Sequence, residues 1–582
     1  MEQTSGLRTL LPYGRPYRGL LILGTFYAFV GAAASAFNPV VLGYAIDALL
    51  LKIDQWELIT YAGLIIVLTV ILAVFRYLLR MLTGTMAAGV SYTMAQDLYK
   101  HILTFDRTTQ AEFGTGDLLS RASSDFIYIW RFYSAGFQMA IHAIFLLLIG
   151  CGLMAVTSVP LAVVTVVMLV LSLIAQTRLA VYVEDAFNLV QQRLASISAF
   201  AQEHISAQRT LAAYTLENPS SEAFRKLSND YADESIRFVL FSSAIAPLPQ
   251  LVVRLAATVV VAYGVVLIIN QQLSIGQYVQ FIVYLGLLSN AANQLSSAFE
   301  RLQQGSAAAA RIGDVINRVP QVRNHPQATH HYPTGQIVLD NVTWQHGQQH
   351  LLNNVSVTIT KGMHIGVVGL TGAGKSSLLS VILRLRDPDS GRILFDDVDA
   401  KAIDLATLRS GMAYVPQEHI LFSMTLRENI MLGTPQATAT QLEDALRVSC
   451  LDRDIAQLAN GLETLIGERG TMLSGGQKQR LGIARALITD APIMLFDDAL
   501  SNIDARTAYD IVVGVTAYRA GKTTIMVSQK ISSVRHLDAI MVLDNGALVE
   551  YGTHQELVAH HGIYAELFQR ELAQRNELNT ER

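Results

Sequence analysis

Six apolar runs mark the first half of the chain, at about residues 19–50, 58–80, 134–157, 160–178, 240–270 and 275–296. A helix needs about 20 apolar residues to cross the hydrocarbon of a bilayer, and these runs supply them. The first and fifth are longer, which predicts tilt or extension beyond the lipid. Pro39 in the first, and Pro247 and Pro249 in the fifth, predict kinks. The links between runs two and three and between runs four and five are long and rich in Lys and Arg. They also carry helical apolar spacing, as in "LASISAFAQEHISAQRTLAAYTLEN" from Leu194. The other three links are short and hold one basic residue, Lys52. This asymmetry predicts a cytoplasmic N-terminus, cytoplasmic long links, and membrane helices that continue well into the cytoplasm. Run one follows Arg8, Arg15 and Arg18 but is too long for the apolar core of a signal peptide, so it reads as a retained span.

The pattern changes after "NRVPQVRNHPQATHHYPTGQ", Asn317 to Gln336, a polar stretch with three prolines. Beyond it the apolar runs shorten. "QIVLDNVTW", "VSVTI" and "MHIGVVGL" read as strands, and "SSLLSVILRL" and "QKQRLGIARALI" as helices, so an α/β domain is expected. The predicted organisation is a six-helix membrane domain over 1–316, a linker over 317–336, the α/β domain over 337–570 and a tail over 571–582.

Composition agrees with a membrane class: 51% of the 582 residues are hydrophobic and 15% charged, against roughly 25% charged in soluble domains. A net charge of −4 gives no footprint for a nucleic-acid partner. Two cysteines, Cys151 and Cys450, lie far apart and predict no disulfide framework. Few polar residues interrupt the apolar runs. Arg76 and Arg80 lie near the inner end of run two, where snorkelling to the interface is expected. Arg254 lies deeper in run five and is a candidate for cargo contact. Gln138 with His142, and Asn290 with Asn293, each share a helical face. Such residues mark either a transport path or an interhelical hydrogen bond.

"GLTGAGKSS", comprising Gly369, Leu370, Thr371, Gly372, Ala373, Gly374, Lys375, Ser376 and Ser377, fits G-x-x-x-x-G-K-[ST]. It follows the strand "HIGVV" and opens a helix, the context this phosphate-binding loop requires. Its amides and the helix N-terminus suit the phosphates of ATP. Lys375 would reach the β and γ phosphates and Ser376 would ligate Mg²⁺. A second apolar strand, Ile493 to Phe496, runs into two acids, and Asp497 is the expected acid of the Mg²⁺ site.

"LSGGQKQR", Leu473 to Arg480, together with these motifs and the six spans, resembles the ATP-binding cassette (ABC) exporter family in its half-transporter arrangement. "GTGDLLSRASSDF" from Gly114, "YVPQEHILFSMTLRENI" from Tyr414 and "TLIGERG" from Thr464 extend the resemblance over nearly the whole chain. The resemblance implies an α-helical bundle followed by an ABC ATPase domain. It implies that two nucleotide domains pair head to tail. Ser474, Gly475, Gly476 and Gln477 would then hold an ATP bound to the partner chain. Gln417 would reach Mg²⁺ and the attacking water, and Glu468 would relay the signal. Coupling helices are expected near Phe105–Gly116 and Ala212–Glu217.

The sequence departs from the family at several places. The family's usual Glu after the Mg²⁺-site acid is Asp498 here, one methylene shorter. Its switch His is Gln529, which carries no charge near pH 7. His346 stands at the adenine-stacking position usually held by Tyr, with Trp344 two residues earlier, and the D-loop reads "SNID", Ser501 to Asp504. These losses resemble the degenerate-site subunit of bacterial heterodimeric multidrug exporters. They imply a homologous partner that brings the Glu and His. The largely apolar spans with scattered Asn, Gln and Tyr predict small amphipathic or hydrophobic substrates, and the short loops a bacterial plasma membrane. The alternatives are a lipid flippase or peptide exporter, a regulatory subunit, or a homodimer in which Asp498 suffices.

Overall fold

The computed structural model describes residues 2–51, 54–245, 247–347, 349–467 and 473–580. Lys52 and Glu468 lie outside them. The chain divides into two compact units, Met1–Leu103 with Gly114–Arg318, and Thr104–Phe113 with Val319–Arg582.

The first unit is helical. It contains α1 (Glu2–Gly14), α2 (Arg18–Leu50) and α3 (Gln55–Ile102), while α4 (Arg107–Phe113) falls in the second unit. The first unit continues with α5 (Thr115–Arg131), α6 (Phe137–Thr157), α7 (Val159–Ser206) and α8 (Gln208–Ala213). It closes with α9 (Glu217–Ile245), α10 (Leu248–Ile269) and α11 (Ile275–Ile316). Among the described residues, three stretches are long and apolar enough to cross a membrane: Gly6–Leu50, Gln55–Ile102 and Thr115–Thr157. Shorter apolar stretches, Val159–Met168 and Ala257–Ile269, lie in α7 and α10. Run six falls in α11, where Gln277, Gln280 and Asn290 dilute the apolar pattern. At 1.5 Å per residue, the 48 residues of α3 and of α7 each extend about 72 Å, more than twice the hydrocarbon thickness. Asp47 near the end of α2 accepts the Ser274 hydroxyl at 2.5 Å and the Gly276 amide at 2.7 Å, fastening the start of α11.

Run three lies within a longer helical path, since α5 and α6 join through a π-helical turn at Phe132–Gly136. Two expectations change. Run five is not one kinked helix: α9 stops at Ile245 and Pro247 is the N-cap of α10, because proline has no N–H to continue the ladder. The short helix at the second expected coupling position is α8, Gln208–Ala213, rather than 212–217. Thr215 is left-handed (φ 55°) and the Leu216 amide closes back on the Leu211 carbonyl, which ends the helix early.

The second unit holds two sheets. Strands β1 (Ile337–His346), β2 (Gln349–Ile359), β4 (Ser390–Phe395) and β5 (Val398–Asp399) form an antiparallel sheet in the order β2-β1-β4-β5. The larger sheet has the order β10-β9-β3-β8-β7-β6. It comprises β3 (His364–Val368), β6 (Met412–Val415), β7 (Ile493–Asp497), β8 (Thr523–Val527), β9 (Ala539–Asp544) and β10 (Ala547–Gly552). Strands β9, β3, β8, β7 and β6 run parallel, and β10 is the antiparallel edge. Every residue of β3, β7 and β8 is buried, as expected for parallel strands covered on both faces. Alternate side chains feed two cores: Ile493 and Leu495 pack with β1 and β2, whereas Met494 and Phe496 pack with the helix Gly475–Leu487. Glu571, placed in the tail by the sequence, accepts the amide of Ile531 at 2.7 Å, within the helix Ile563–Thr580.

Segment Thr104–Phe113 belongs to this second unit although it is encoded far upstream. Asp106 fixes it there. Its carboxylate accepts the amide of Thr109 (2.9 Å) and those of Gln321 (2.7 Å) and Val322 (3.3 Å).

Candidate nucleotide site

Strand order explains how four distant motifs meet. Neighbouring strands β3, β8, β7 and β6 end, in turn, in the phosphate loop, Gln529, the Asp497–Asp498 pair and Gln417. Because these strands are parallel, all four motifs emerge at one edge of the sheet.

The loop itself is shaped by its glycines. Gly374 is left-handed (φ 96°) as N-cap of the helix Lys375–Ile382, and a Cβ there would lie 2.4 Å from the Leu351 carbonyl oxygen, so only glycine fits. Lys375 is buried, and its Nζ donates to the carbonyls of Gly369 (2.8 Å) and Leu370 (2.9 Å). Burial lowers its pKa, an effect that Asp498 and Asp497 partly offset. The Ser376 hydroxyl donates to Asp497 Oδ1 at 2.7 Å, and the Tyr414 hydroxyl donates to Oδ2 at 3.2 Å. A buried ammonium held by loop carbonyls, beside a hydroxyl–carboxylate pair, fits the phosphates of ATP and the oxygen ligands that Mg²⁺ prefers. Thr371 and Gly372 are exposed at the loop's crest, Ala373 is buried, and Ser377 is half-buried in the first helical turn.

Asp498 is buried and left-handed (φ 49°), a strained conformation for a residue with a Cβ. Its amide donates to the Val527 carbonyl at 3.1 Å. Its Oδ1 accepts the Gln529 amide at 3.3 Å. Burial raises its pKa against the opposing pull of that amide and of Lys375, with Asp497 adding to the rise. The side chains of Gln529 and Gln417 are exposed.

The signature forms a separate corner. Ser474 caps the helix Gly475–Leu487 in a capping box with Gln477. Gln477 also donates to Asp454 at 3.2 Å, and Arg480 pairs with Asp454 at 2.8 Å. Gln479 binds the D-loop twice, donating to the Ser501 hydroxyl (3.1 Å) and accepting the Asn502 amide (3.0 Å). Asp504 caps the helix Ala505–Tyr518. Within one chain, therefore, the partners of Ser474 and Gln477 are structural, and the phosphate loop is not among them.

The two aromatic candidates separate. The Arg386 guanidinium lies 4.8 Å over the Trp344 ring, and Trp344 packs against the core of β1 and β2. Trp344 is therefore engaged within the fold, and His346 is the exposed ring of the pair. Sequence reasoning missed Tyr414, Asp454 and Asn502. Tyr414 lies inside the quoted "YVPQ" stretch, but its link to Asp497 depends on the β6–β7 pairing; Asp454 and Asn502 carry no local signal.

Residues 21–292 match the family model described as ABC transporter transmembrane region, and residues 352–501 the one described as ABC transporter. The chain is 31% identical over 548 residues to a probable multidrug resistance ABC transporter ATP-binding/permease protein, YheI, of Bacillus subtilis, covering 92% of each. It is 30% identical to the multidrug resistance-like ATP-binding protein MdlA of Escherichia coli, over 86% of each chain. It is 29% identical to the human oligopeptide transporter ABCB9, over 98% of this chain and 75% of that one. A solved structure of a bacterial Atm1-family ABC exporter with ATP bound shares the fold, with a TM-score of 0.83 and 24% identity over 95% of this chain and 98% of that one. The chain thus belongs to the ABC transporter family, with a transmembrane region and an ATPase domain that uses ATP with Mg²⁺ on one polypeptide.

Proposed function

We propose that this chain is one subunit of a heterodimeric ATP-driven exporter of amphipathic and hydrophobic compounds, in a bacterial plasma membrane with its nucleotide domain in the cytoplasm. Its own phosphate loop holds ATP and hydrolyses it slowly. The observation that carries the reading is Asp498. It is one methylene shorter than Glu, it is pinned by its backbone between β7 and β8, and its carboxylate is engaged by the Gln529 amide. A base must come within hydrogen-bond reach of the water it activates, and a misplacement of about 1 Å costs on the order of 10² in rate. Gln529 cannot supply charge in compensation.

When bound, ATP with Mg²⁺ supplies the phosphoryl bond that is broken. Lys375 would meet the phosphate oxygens, Ser376 would ligate the ion with Asp497 as the acid of its site, and Gln417, just after β6, would contact the water. His346 stacks the adenine. Ser474, Gly475 and Gly476 serve an ATP on the partner chain, whose Glu and His carry most of the turnover. The multidrug names of YheI and MdlA support efflux of amphipathic compounds. The oligopeptide name of ABCB9 supports peptides as the alternative cargo.

A homodimeric exporter is the second reading, favoured by one observation: burial raises the Asp498 carboxyl toward the range of a working base. ATP hydrolysis by the purified chain, alone and co-expressed with a Glu- and His-bearing half-transporter, separates the two. The heterodimer reading expects slow turnover alone and fast turnover in the pair; fast turnover alone sinks it.

A further inference from the structure

We propose that the membrane unit binds an anionic amphiphile, a compound that joins a carboxylate, sulfonate or phosphate to an apolar aromatic body, in a cavity built around Arg76 and Arg80. The proposal rests on the reading of the chain as an exporter and specifies its cargo. The cavity has a volume of about 760 Å³ and lies wholly within the first unit. Arg76 and Arg80 of α3, Tyr27 of α2, Trp130 of α5, and Gln138 and His142 of α6 contribute to its wall.

Snorkelling, the expectation from sequence, leaves the two arginines exposed, and they are; both also line this cavity. Arg76, Leu79, Arg80 and Thr83 fall at i, i+3, i+4 and i+7, one face of a helix. Leu79 and Thr83 are 2% and 0% exposed, while Arg76 and Arg80 on the same face stay exposed in the cavity wall. Among the described residues, neither guanidinium pairs with a carboxylate. Two positive charges one helical turn apart on one cavity wall, without a carboxylate partner, attract an anion.

The surroundings define the rest of the ligand. His142 is 9% exposed and its Nε2, buried in the cavity wall, has no hydrogen-bond partner. Gln138 lies on the same helical face one turn earlier and adds a second polar group. The Trp130 ring is exposed, and Tyr27 stands edge-on to Phe75 with centroids 5.5 Å apart. Arg76 lies 21 residues into α3, about 32 Å from its start, where the hydrocarbon thickness of about 30 Å is used up. The acid group is therefore held at the inner rim, while the apolar body reaches the aromatic side chains and the spans beyond. Cationic amphiphiles meet repulsion at the same place.

The full-length chain in phosphatidylcholine nanodiscs, titrated with carboxyfluorescein and with tetramethylrhodamine ethyl ester, tests this. The dyes share a xanthene ring and differ in charge, and anisotropy is read against empty discs. The proposal expects carboxyfluorescein to bind at least about tenfold more tightly than the cation. It expects Arg76→Gln with Arg80→Gln to weaken carboxyfluorescein about tenfold or more, and the corresponding lysine pair to retain most of the affinity. Trinitrophenyl-ATP binding checks that each variant is folded; if the glutamine pair is not, the preference of the wild type for one dye decides. Tighter or equal binding of the cation overturns the proposal, as does unchanged carboxyfluorescein binding in a folded glutamine pair. In phosphatidylglycerol discs, displacement of the dye assigns the anion to a lipid headgroup, and persistence assigns it to a free amphiphile. Both results keep the anion site. Hydrolysis is not measured, so failure of the slow-site reading leaves this test intact.

Discussion

The Gln529 main-chain amide donates to Asp498 Oδ1 at 3.3 Å, so the two positions where the sequence departs most from its family's usual chemistry are bonded neighbours. They follow adjacent strands, and each sets the other's surroundings. A repair at one position is therefore expected to depend on the other.

Asp498→Glu extends the carboxylate by one methylene. It is expected to raise ATP hydrolysis by the chain alone about tenfold, with Gln529→His adding a further increase. If the chain works in the proposed heterodimer, Asp498→Asn is expected to change turnover of the pair by less than about twofold. Phosphate release measures both. A large loss in the pair with Asp498→Asn would show that this carboxylate is the working base.

Gly476 sits against the D-loop, where an added Cβ would lie 3.1 Å from the Asn502 carbonyl oxygen. Gly476→Ala is expected to shift the signature by a few tenths of an ångström and to lower turnover of the pair by on the order of 10². Binding of trinitrophenyl-ATP to this chain's own phosphate loop should remain unchanged. Loss of that binding would assign the signature to the wrong nucleotide.

Asp106 joins an upstream segment to the second unit. Burial alone would raise its pKa, but the amides of Thr109, Val322 and Gln321, with the Thr109 hydroxyl, outweigh burial and hold it below the usual carboxylate range. With the folded pKa depressed, the stabilisation is complete above the unfolded value of about 3.9 and is lost as pH falls through the native one. Asp106→Ala is expected to cost about 2 kcal/mol at neutral pH by leaving buried amides unpaired. Thermal unfolding followed from neutral pH to below pH 4 should show a smaller acid-dependent loss in Asp106→Asn than in the wild type.

Arg519 is 1% exposed, and its guanidinium donates to Thr524 Oγ1 (3.1 Å) and to the carbonyls of Thr523 (3.1 Å) and Pro492 (3.3 Å). Burial lowers its pKa to about 10, with Asp490 and Tyr518 opposing. These acceptors lie where β7 and β8 begin, at the edge opposite the nucleotide motifs. Arg519→Ala is expected to destabilise the unit by about 3 kcal/mol through a cavity and orphaned acceptors. Nucleotide affinity at temperatures below the transition should be unchanged, and calorimetry with equilibrium binding reads the two separately.

The parts legible in sequence are those whose physics is local. The glycine spacing before Lys375 encodes a loop, and four apolar residues before Asp497 encode a buried strand that ends in an acid. Relations that depend on strand pairing or helix rotation were not legible. The Tyr414 hydroxyl meets Asp497 because β6 lies beside β7, and nothing near Tyr414 in the chain announces it. That Arg76 and Arg80 line one cavity with His142 depends on which face of α3 its neighbours cover. Trp344 illustrates the converse. Its position suggested a stacking partner for adenine, yet Arg386, encoded 42 residues later, takes the ring.

The discontinuity at Thr104–Phe113 bears on how this protein can be taken apart. The polypeptide crosses between the two units at three points, so no single cut releases the nucleotide domain whole. A fragment begun at Val319 lacks part of its own wall: the amides of Gln321 and Val322 lose Asp106 and open to water, and the small hollow bounded by Asp106, Thr108, Trp344 and Arg386 loses one side. Biochemistry on such an excised piece would describe an amputated domain, and reattaching a peptide that spans Thr104 to Phe113 should make it firmer.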